Sequence, residues 1–399
     1  MAGPTRERLG DLSCGEHPES AVLTTTPGPS AHPIDAAPTR REETPMAGRF
    51  APTPTSDLHL GNLRTALVAA LAARSAAMPF LIRIEDLDQA RVRAAGDIAE
   101  RQLADLARLG LTSDVAVVRQ SERSAIYDAA LERIRDHTYE CFCSRKEIAA
   151  VTQAPHGVTL PYPGTCRELT EAQRAERRLT RPAAIRLRAG GATEQVTDLL
   201  HGSVEGVVDD IVLRRGDGVH AYHLAVVVDD GLQEVTEVVR GDDLLSSAPA
   251  QSYLARLLGF APPLYAHIPL VTGPGGQRLA KRDGAIGVAA LASRGLGPGE
   301  ILAHLGASLG EAISTRNAAE SALLGDGGTA LWKVRPSSPD QMKDSAITDS
   351  AVGDVQAHTT DPGAVVARWA DGFDITRLPR QPWIVETDQA PVASRTSTT

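Results

Sequence analysis

The sequence predicts an α/β fold built on a largely parallel sheet, and three observations predict it. From residue 48 onward, short apolar runs alternate with amphipathic stretches of helical length, the pattern of successive βα units. That rhythm breaks once, over residues 138–205, where cysteines, prolines and charges gather; this stretch reads as an inserted subdomain. Residues 1–45 and 311–362 are polar and lack any hydrophobic period, so the first reads as a disordered tail and the second as a linker or disordered stretch.

In order, residues 48–51 form a short apolar strand, and residues 61–77 carry Leu63, Ala66, Leu67, Ala70 and Leu71 at helical spacing before Pro79 stops them. Residues 80–84 read as a strand, 95–109 as an amphipathic helix closed by Gly110, 115–118 as a strand and 124–136 as a helix. After the insertion, 211–215, 225–230 and 235–240 read as strands, 247–258 as a helix and 265–271 as a strand. Residues 286–292 and 299–309 read as short helices, 363–385 as a closing segment that packs back on the domain, and 386–399 as a second disordered tail. The catalytic unit is therefore expected over 46–310. Met46 immediately precedes the first strand and is a candidate translation start.

Composition narrows the class. Hydrophobic residues make up 42% and charged residues 23%, as in globular domains. Apolar runs such as 67–73 are far shorter than the ~20 residues a bilayer requires, and no signal-peptide pattern opens the chain. Four cysteines, three of them clustered, point to a metal before a disulfide and to a reducing, cytoplasmic setting. The net charge of −9 falls mostly in residues 1–45 (−3) and 311–362 (−4), leaving 46–310 at −2. A local basic path for RNA therefore remains open.

Two stretches can face phosphate. Arg49-Phe50-Ala51-Pro52-Thr53 leads through a polar loop to His59-Leu60-Gly61-Asn62. Here a strand hands over to a helix whose first N–H groups and dipole suit an anion. Downstream, a Gly-rich turn ends in Arg278-Leu-Ala-Lys281-Arg282, and closely spaced cations can neutralise phosphoryl charge. Each alone is more readily read as a surface histidine or a solvated basic loop. A third stretch, Arg83-Ile-Glu85-Asp86-Leu-Asp88, puts acids at the end of an apolar strand, where they can bind an ammonium or cap a helix. A fourth joins Tyr222 to Arg240. A buried Arg there needs an anion, either a structural carboxylate such as Asp242 or one on a substrate. Lastly, Cys141-Phe-Cys143 and Tyr162-Pro-Gly-Thr-Cys166 offer three thiolates and a phenolate, a closed tetrahedral zinc set or three unrelated buried thiols.

Together the two phosphate-facing stretches resemble the HIGH and KMSKS signatures of the class I aminoacyl-tRNA synthetases. Arg49–Thr53 with Pro54 and Thr55 is similar to the glutamyl subgroup's RFAPSPTG, and Arg83–Asp88 to its RIEDTD. Ser56 replaces the subgroup's Gly, and Arg278, Ala280 and Arg282 depart from KMSKS, while Lys281 is kept. The resemblance implies a Rossmann-type catalytic domain in which His59 and Lys281 are catalytic and His59, Gly61, Asn62 and Lys281 bind ATP with Mg²⁺. Arg49, Phe50, Ala51, Pro52, Thr53, Glu85, Tyr222 and Arg240 would bind L-glutamate, with Glu85 on its amino group.

Within that subgroup the pattern is most similar to the glutamyl-Q tRNA(Asp) synthetase family. Only 118 residues follow Lys281, too few for an anticodon-binding portion. Val226 stands where full-length enzymes typically carry Asn, and Cys141, Cys143, Tyr162 and Cys166 match that family's zinc ligands. The resemblance implies glutamyl-adenylate formation without RNA, then transfer of glutamate to the queuosine base in the anticodon of tRNA(Asp), by a monomer with one zinc ion. Two other readings are a truncated synthetase charging the tRNA 3′ end and a non-catalytic paralogue that binds tRNA or ATP.

Overall fold

The computed structural model describes residues 47–152, 161–273, 286–313, 332–335 and 361–387. Expectations for the tails, for Met46 and for Arg278, Ala280, Lys281 and Arg282 lie outside them. The chain opens with β1 (Ala47–Phe50), α1 (Leu60–Ser75) and β2 (Phe80–Ile84). α2 (Gln89–Ala95), α3 (Ile98–Arg108), β3 (Val118–Arg119) and α4 (Ser124–Arg133) follow. Next come β4 (Thr138–Cys141), α5 (Arg145–Thr152), α6 (Glu171–Arg178), β5 (Ala184–Leu187), β6 (Thr193–Asp198), β7 (Gly202–Val207) and β8 (Val212–Arg214). α7 (Tyr222–Leu232), β9 (Val235–Gly241), α8 (Ala248–Leu257), β10 (Leu264–Ile268) and β11 (Val271–Thr272) return to the main body. α9 (Val288–Ala292), α10 (Pro298–Ala307), β12 (Trp332–Arg335), α11 (Pro362–Ala370) and β13 (Trp383–Thr387) complete the order.

The main sheet runs β3-β2-β1-β9-β10-β6-β7. Its pairs are parallel except for the edge hairpin β6–β7. Strand order reverses between β1 and β9, and in such a sheet ligands bind beyond the carboxyl ends of the strands at that switch point. The core on one face joins α1, α10 and α11, with Trp369 fully buried. α1 lies directly on β1 because Gly48 has no side chain: a Cβ there would sit 2.9 Å from that of Ala73. α11 packs on α1 and α10, and Trp383 brings β13 beside β11.

Three expectations change. Residues 225–230, expected as a strand, belong to helix α7. Their run Ala-Val-Val-Val-Asp-Asp is buried throughout, against α4, α8 and β9, and a short run buried on all sides carries no period that separates strand from helix. The insertion is also not the continuous stretch 138–205. β4, β5 and β8 form its antiparallel sheet, while the hairpin β6–β7 leaves it to extend the main sheet. Finally, β12 lies inside the stretch expected as a linker and pairs antiparallel with β13.

Candidate active site

A cavity of about 670 Å³ opens at the switch point. It receives Phe50 from the end of β1, Glu85 from just beyond β2, Arg240 from β9 and Tyr222 from the start of α7. Every expected glutamate- and ATP-contacting residue among the described ones lines it: Arg49 to Thr53, His59, Gly61, Asn62, Glu85, Tyr222 and Arg240.

His59 caps α1. Its Nδ1 accepts from the Gly61 amide at 3.1 Å, and Asn62 Oδ1 accepts from the His59 amide at 3.2 Å. An imidazole nitrogen that accepts carries no proton, so the neutral ring bears its proton on Nε2. The ring is thereby presented as a donor. Gly61 is required at this approach, since a Cβ there would lie 2.9 Å from His59 Cε1. Ser56, in place of the subgroup's glycine, needs no unusual backbone: among described non-glycine residues only Ala77 and Glu234 have positive φ. Gln102 instead pins this loop, its Nε2 donating to the carbonyls of Thr53 and Ser56 at 3.2 and 2.7 Å.

Lys281 is outside the described residues, but the chain on either side of it reaches this site. Val271 lines the cavity. Beyond the segment, the Leu60 amide donates to the Ile286 carbonyl at 3.1 Å, and Gly287 bridges to His59. The described residues that flank the second stretch therefore meet the loop and helix start that carry the first.

The cations differ in their partners. Arg49 donates to Asp230 at 3.2 and 3.5 Å and to the Val239 carbonyl at 3.3 Å. Arg83, fully buried, holds the same Asp230 at 2.7 Å and donates to Gln233 at 2.8 Å. Burial alone would raise Asp230, but the two guanidiniums outweigh it and hold the carboxyl below its ordinary range. Among the described residues Arg240 instead donates to neutral groups: His267 Nε2 at 2.9 Å, Gln251 Oε1 at 2.6 Å and the Leu244 carbonyl at 3.3 Å. None of these is Asp242, the structural carboxylate that the sequence offered as its alternative partner. Glu85 is buried with Oε1 lacking a hydrogen-bond partner among the described residues. Burial, opposed by Arg83 and Arg49, raises it to about 7.

Sequence reasoning passed over Arg83, Asp230, His267 and Gln251 as site residues. Arg83 belongs to the acidic stretch Arg83–Asp88 and Asp230 lies between Tyr222 and Arg240, so a signal existed; His267 and Gln251 carried none, because the sheet and α8 bring them to Arg240.

In the insertion, the thiols of Cys141, Cys143 and Cys166 lie within 4.8 Å of one another and could hold a metal. The Tyr162 hydroxyl joins them, 3.3 Å from Cys141 Sγ and 3.4 Å from Cys143 Sγ, with Cys143 and Cys166 sulfurs 3.5 Å apart. A tetrahedral ion with Zn–S near 2.3 Å and Zn–O near 2.0 Å implies edges of roughly 3.8 and 3.5 Å. The donor set therefore fits a tetrahedral ion with sub-ångström adjustment. Burial raises the Cys143 thiol to about 11, so metal binding there must displace a proton.

Comparison with known proteins agrees with this architecture. Residues 45–306 match the family of class I tRNA synthetases (E and Q), catalytic domain. A glutamyl-Q tRNA(Asp) synthetase of Nocardia farcinica is 57% identical over 267 residues, covering 66% of this chain and 85% of the relative. One of Cutibacterium acnes is 58% identical over 265 residues, covering 66% and 76%. Among solved structures, a glutamate tRNA ligase of Elizabethkingia meningosepticum, in complex with its amino acid, superposes with a TM-score of 0.61 at 24% identity. It covers 85% of this chain and 67% of that one, a likeness of fold. On the catalytic-domain match and this level of identity, the chain belongs to the glutamyl-Q tRNA(Asp) synthetase family of class I tRNA synthetases.

Proposed function

We propose that this protein uses ATP to activate L-glutamate as glutamyl-adenylate and then transfers the glutamyl group to the queuosine base in the anticodon of tRNA(Asp). The observation that carries the reading is the pairing, in one cavity, of a buried carboxylate, Glu85, whose Oε1 has no described hydrogen-bond partner and lies 3.7 Å from an Arg83 guanidinium already held by Asp230, with a buried guanidinium, Arg240, whose described partners are neutral. An amino acid with a second carboxylate answers both. Relatives named for this activity, at 57–58% identity, support it.

In this reading Glu85 binds the α-ammonium, and Arg240 with Tyr222 and Arg49 binds the carboxylate side. Phe50 to Thr53 form the wall between glutamate and nucleotide. An α-carboxylate oxygen attacks the α-phosphorus of ATP, the bond to the bridging oxygen breaks, and pyrophosphate leaves. His59 donates from Nε2 to the phosphoryl oxygens. Lys281 neutralises charge on the leaving group, Gly61 and Asn62 border the nucleotide, and Mg²⁺ accompanies the phosphates. The adenylate carbonyl is then open to a hydroxyl of the modified base, with AMP leaving.

Cys141, Cys143, Tyr162 and Cys166 would hold one zinc ion, which supplies no chemistry and ties the insertion together. Thiols clustered as a metal-ligand set support a reducing, cytoplasmic setting. Among the described residues no helix is long and apolar enough to cross a membrane.

The test has two stages. Glutamate-dependent ATP–pyrophosphate exchange should proceed without RNA. Labelled glutamate should then enter tRNA(Asp) stripped of its 3′ CCA and fail to enter intact tRNA(Asp) lacking queuosine. The opposite pattern would establish a 3′-charging synthetase, and absence of exchange with any amino acid would establish a binding paralogue.

A further inference from the structure

Arg240 is held by a buried chain of hydrogen bonds that ends outside the cavity. It faces His267 across β9 and β10, as register partners. Its Nε donates to His267 Nε2 at 2.9 Å, and His267 Nδ1 lies 2.6 Å from Asp198 Oδ2. His267 has no solvent exposure and Asp198 almost none. Arginine can only donate, so Nε2 must accept; the ring's one proton is therefore on Nδ1 and is given to Asp198. Asp198 is locked in turn, its other oxygen taking the amides of Leu200 and His201 at 2.8 and 2.9 Å. Gln251 holds Nη1 of Arg240, and Tyr265 places its ring 5.3 Å below the guanidinium.

We infer that Asp198 and His267 are positioning residues for glutamate recognition: by fixing the histidine tautomer they aim the Arg240 guanidinium into the cavity without neutralising it. The inference deepens the proposed function and rests on its reading of Arg240. A carboxylate in the place of His267 would hold the guanidinium equally well but would cancel the charge that a substrate carboxylate must meet. A neutral acceptor orients and leaves the charge in place, which favours glutamate over the uncharged amide of glutamine. Burial keeps the ring neutral, lowering His267 against the opposing pull of Asp198. The relay runs through the edge hairpin, since Asp198 ends β6.

The experiment is steady-state ATP–pyrophosphate exchange on the full chain, with glutamate and ATP varied separately and melting temperature recorded for each variant. His267→Leu removes the acceptor, His267→Gln can restore one at its amide oxygen, and Asp198→Asn can donate to Nδ1 and so drive the proton to Nε2, against Arg240. His267→Leu and Asp198→Asn should each raise the KM for glutamate by about 10-fold or more, the scale of one hydrogen bond to a charged group. The KM for ATP should change less than about 2-fold, and His267→Gln should recover most of the glutamate affinity. Glutamate KM values unchanged in both Asp198→Asn and His267→Leu would overturn the relay. So would parallel losses for both substrates with a fallen melting temperature, which mark a merely structural role. A wild-type protein that does not exchange with glutamate overturns the functional reading itself, a different result from active wild type with indifferent variants.

Discussion

Gly61 stands so close to His59 that a Cβ at position 61 would lie 2.9 Å from the imidazole Cε1. The contact opposes two effects of one substitution. Alanine is the better helix former by about 1 kcal/mol, and residue 61 lies in the first turn of α1. Gly61→Ala is therefore expected to leave the melting temperature unchanged or slightly raised. It should slow exchange by about 10²-fold, the scale of one displaced transition-state donor. Calorimetry and exchange on the same preparation check it; a fast variant would mean that the ring can move aside without loss.

Glu85 gives the site a pH dependence. Burial raises its carboxyl to about 7, so below that pH it is increasingly protonated and cannot pair with an ammonium. Glutamate KM is expected to rise as pH falls through 7 and to level off above it. Glu85→Gln should raise KM by about 10-fold or more and flatten the profile between pH 6 and 8. Initial rates across that range decide it; a wild-type KM independent of pH would remove Glu85 from ammonium binding.

Arg49 and Arg240 predict contrasting phenotypes. Arg49 shares the buried Asp230 with Arg83, and losing its hydrogen bonds to that charged group costs about 1.5–3 kcal/mol. Arg49→Ala should therefore lower the melting temperature by several degrees. Arg240→Ala removes a cation whose hydrogen-bond partners are neutral. Its main effect is expected on glutamate KM, with a smaller thermal shift. Equal exchange of wild type with glutamine and glutamate would defeat the two-arginine account.

The cysteine cluster predicts one zinc per chain. Cys141→Ser and Cys166→Ser should lose it and expose the insertion to proteolysis, because a closed site couples binding to folding. Tyr162→Phe keeps the ring and removes only the oxygen that lies 3.3 and 3.4 Å from two sulfurs. Elemental analysis should find weakened or absent zinc in that variant; full occupancy would leave three thiolates as the whole protein ligand set.

Much of the site was legible because its chemistry is local in sequence. His59 caps a helix using Gly61 and Asn62, two and three residues away, so the tetrapeptide itself encodes the geometry. The Cys-x-Cys pair with Tyr162 and Cys166 sits within one short insertion, and Glu85 follows directly from a strand whose apolar run is plain. What the sequence by itself determined is thus the inventory: which residues carry charge, which can ligate metal, and where α/β alternation starts and breaks.

Tertiary structure decided the partners. Residues 225–230 are a helix because α4, α8 and β9 bury every side of it. Nothing in a short run that is buried throughout chooses between periods of 2 and 3.6. The hairpin Thr193–Val207 joins the main sheet through an edge pairing with β10, a contact whose register depends on strands far apart in the chain. Arg240 meets His267, and His267 meets Asp198, across 27 and 69 residues. Hydrogen bonds of that span follow from strand order. Each takes its meaning from the burial that the assembled sheet imposes on it, and burial does not exist until the sheet does.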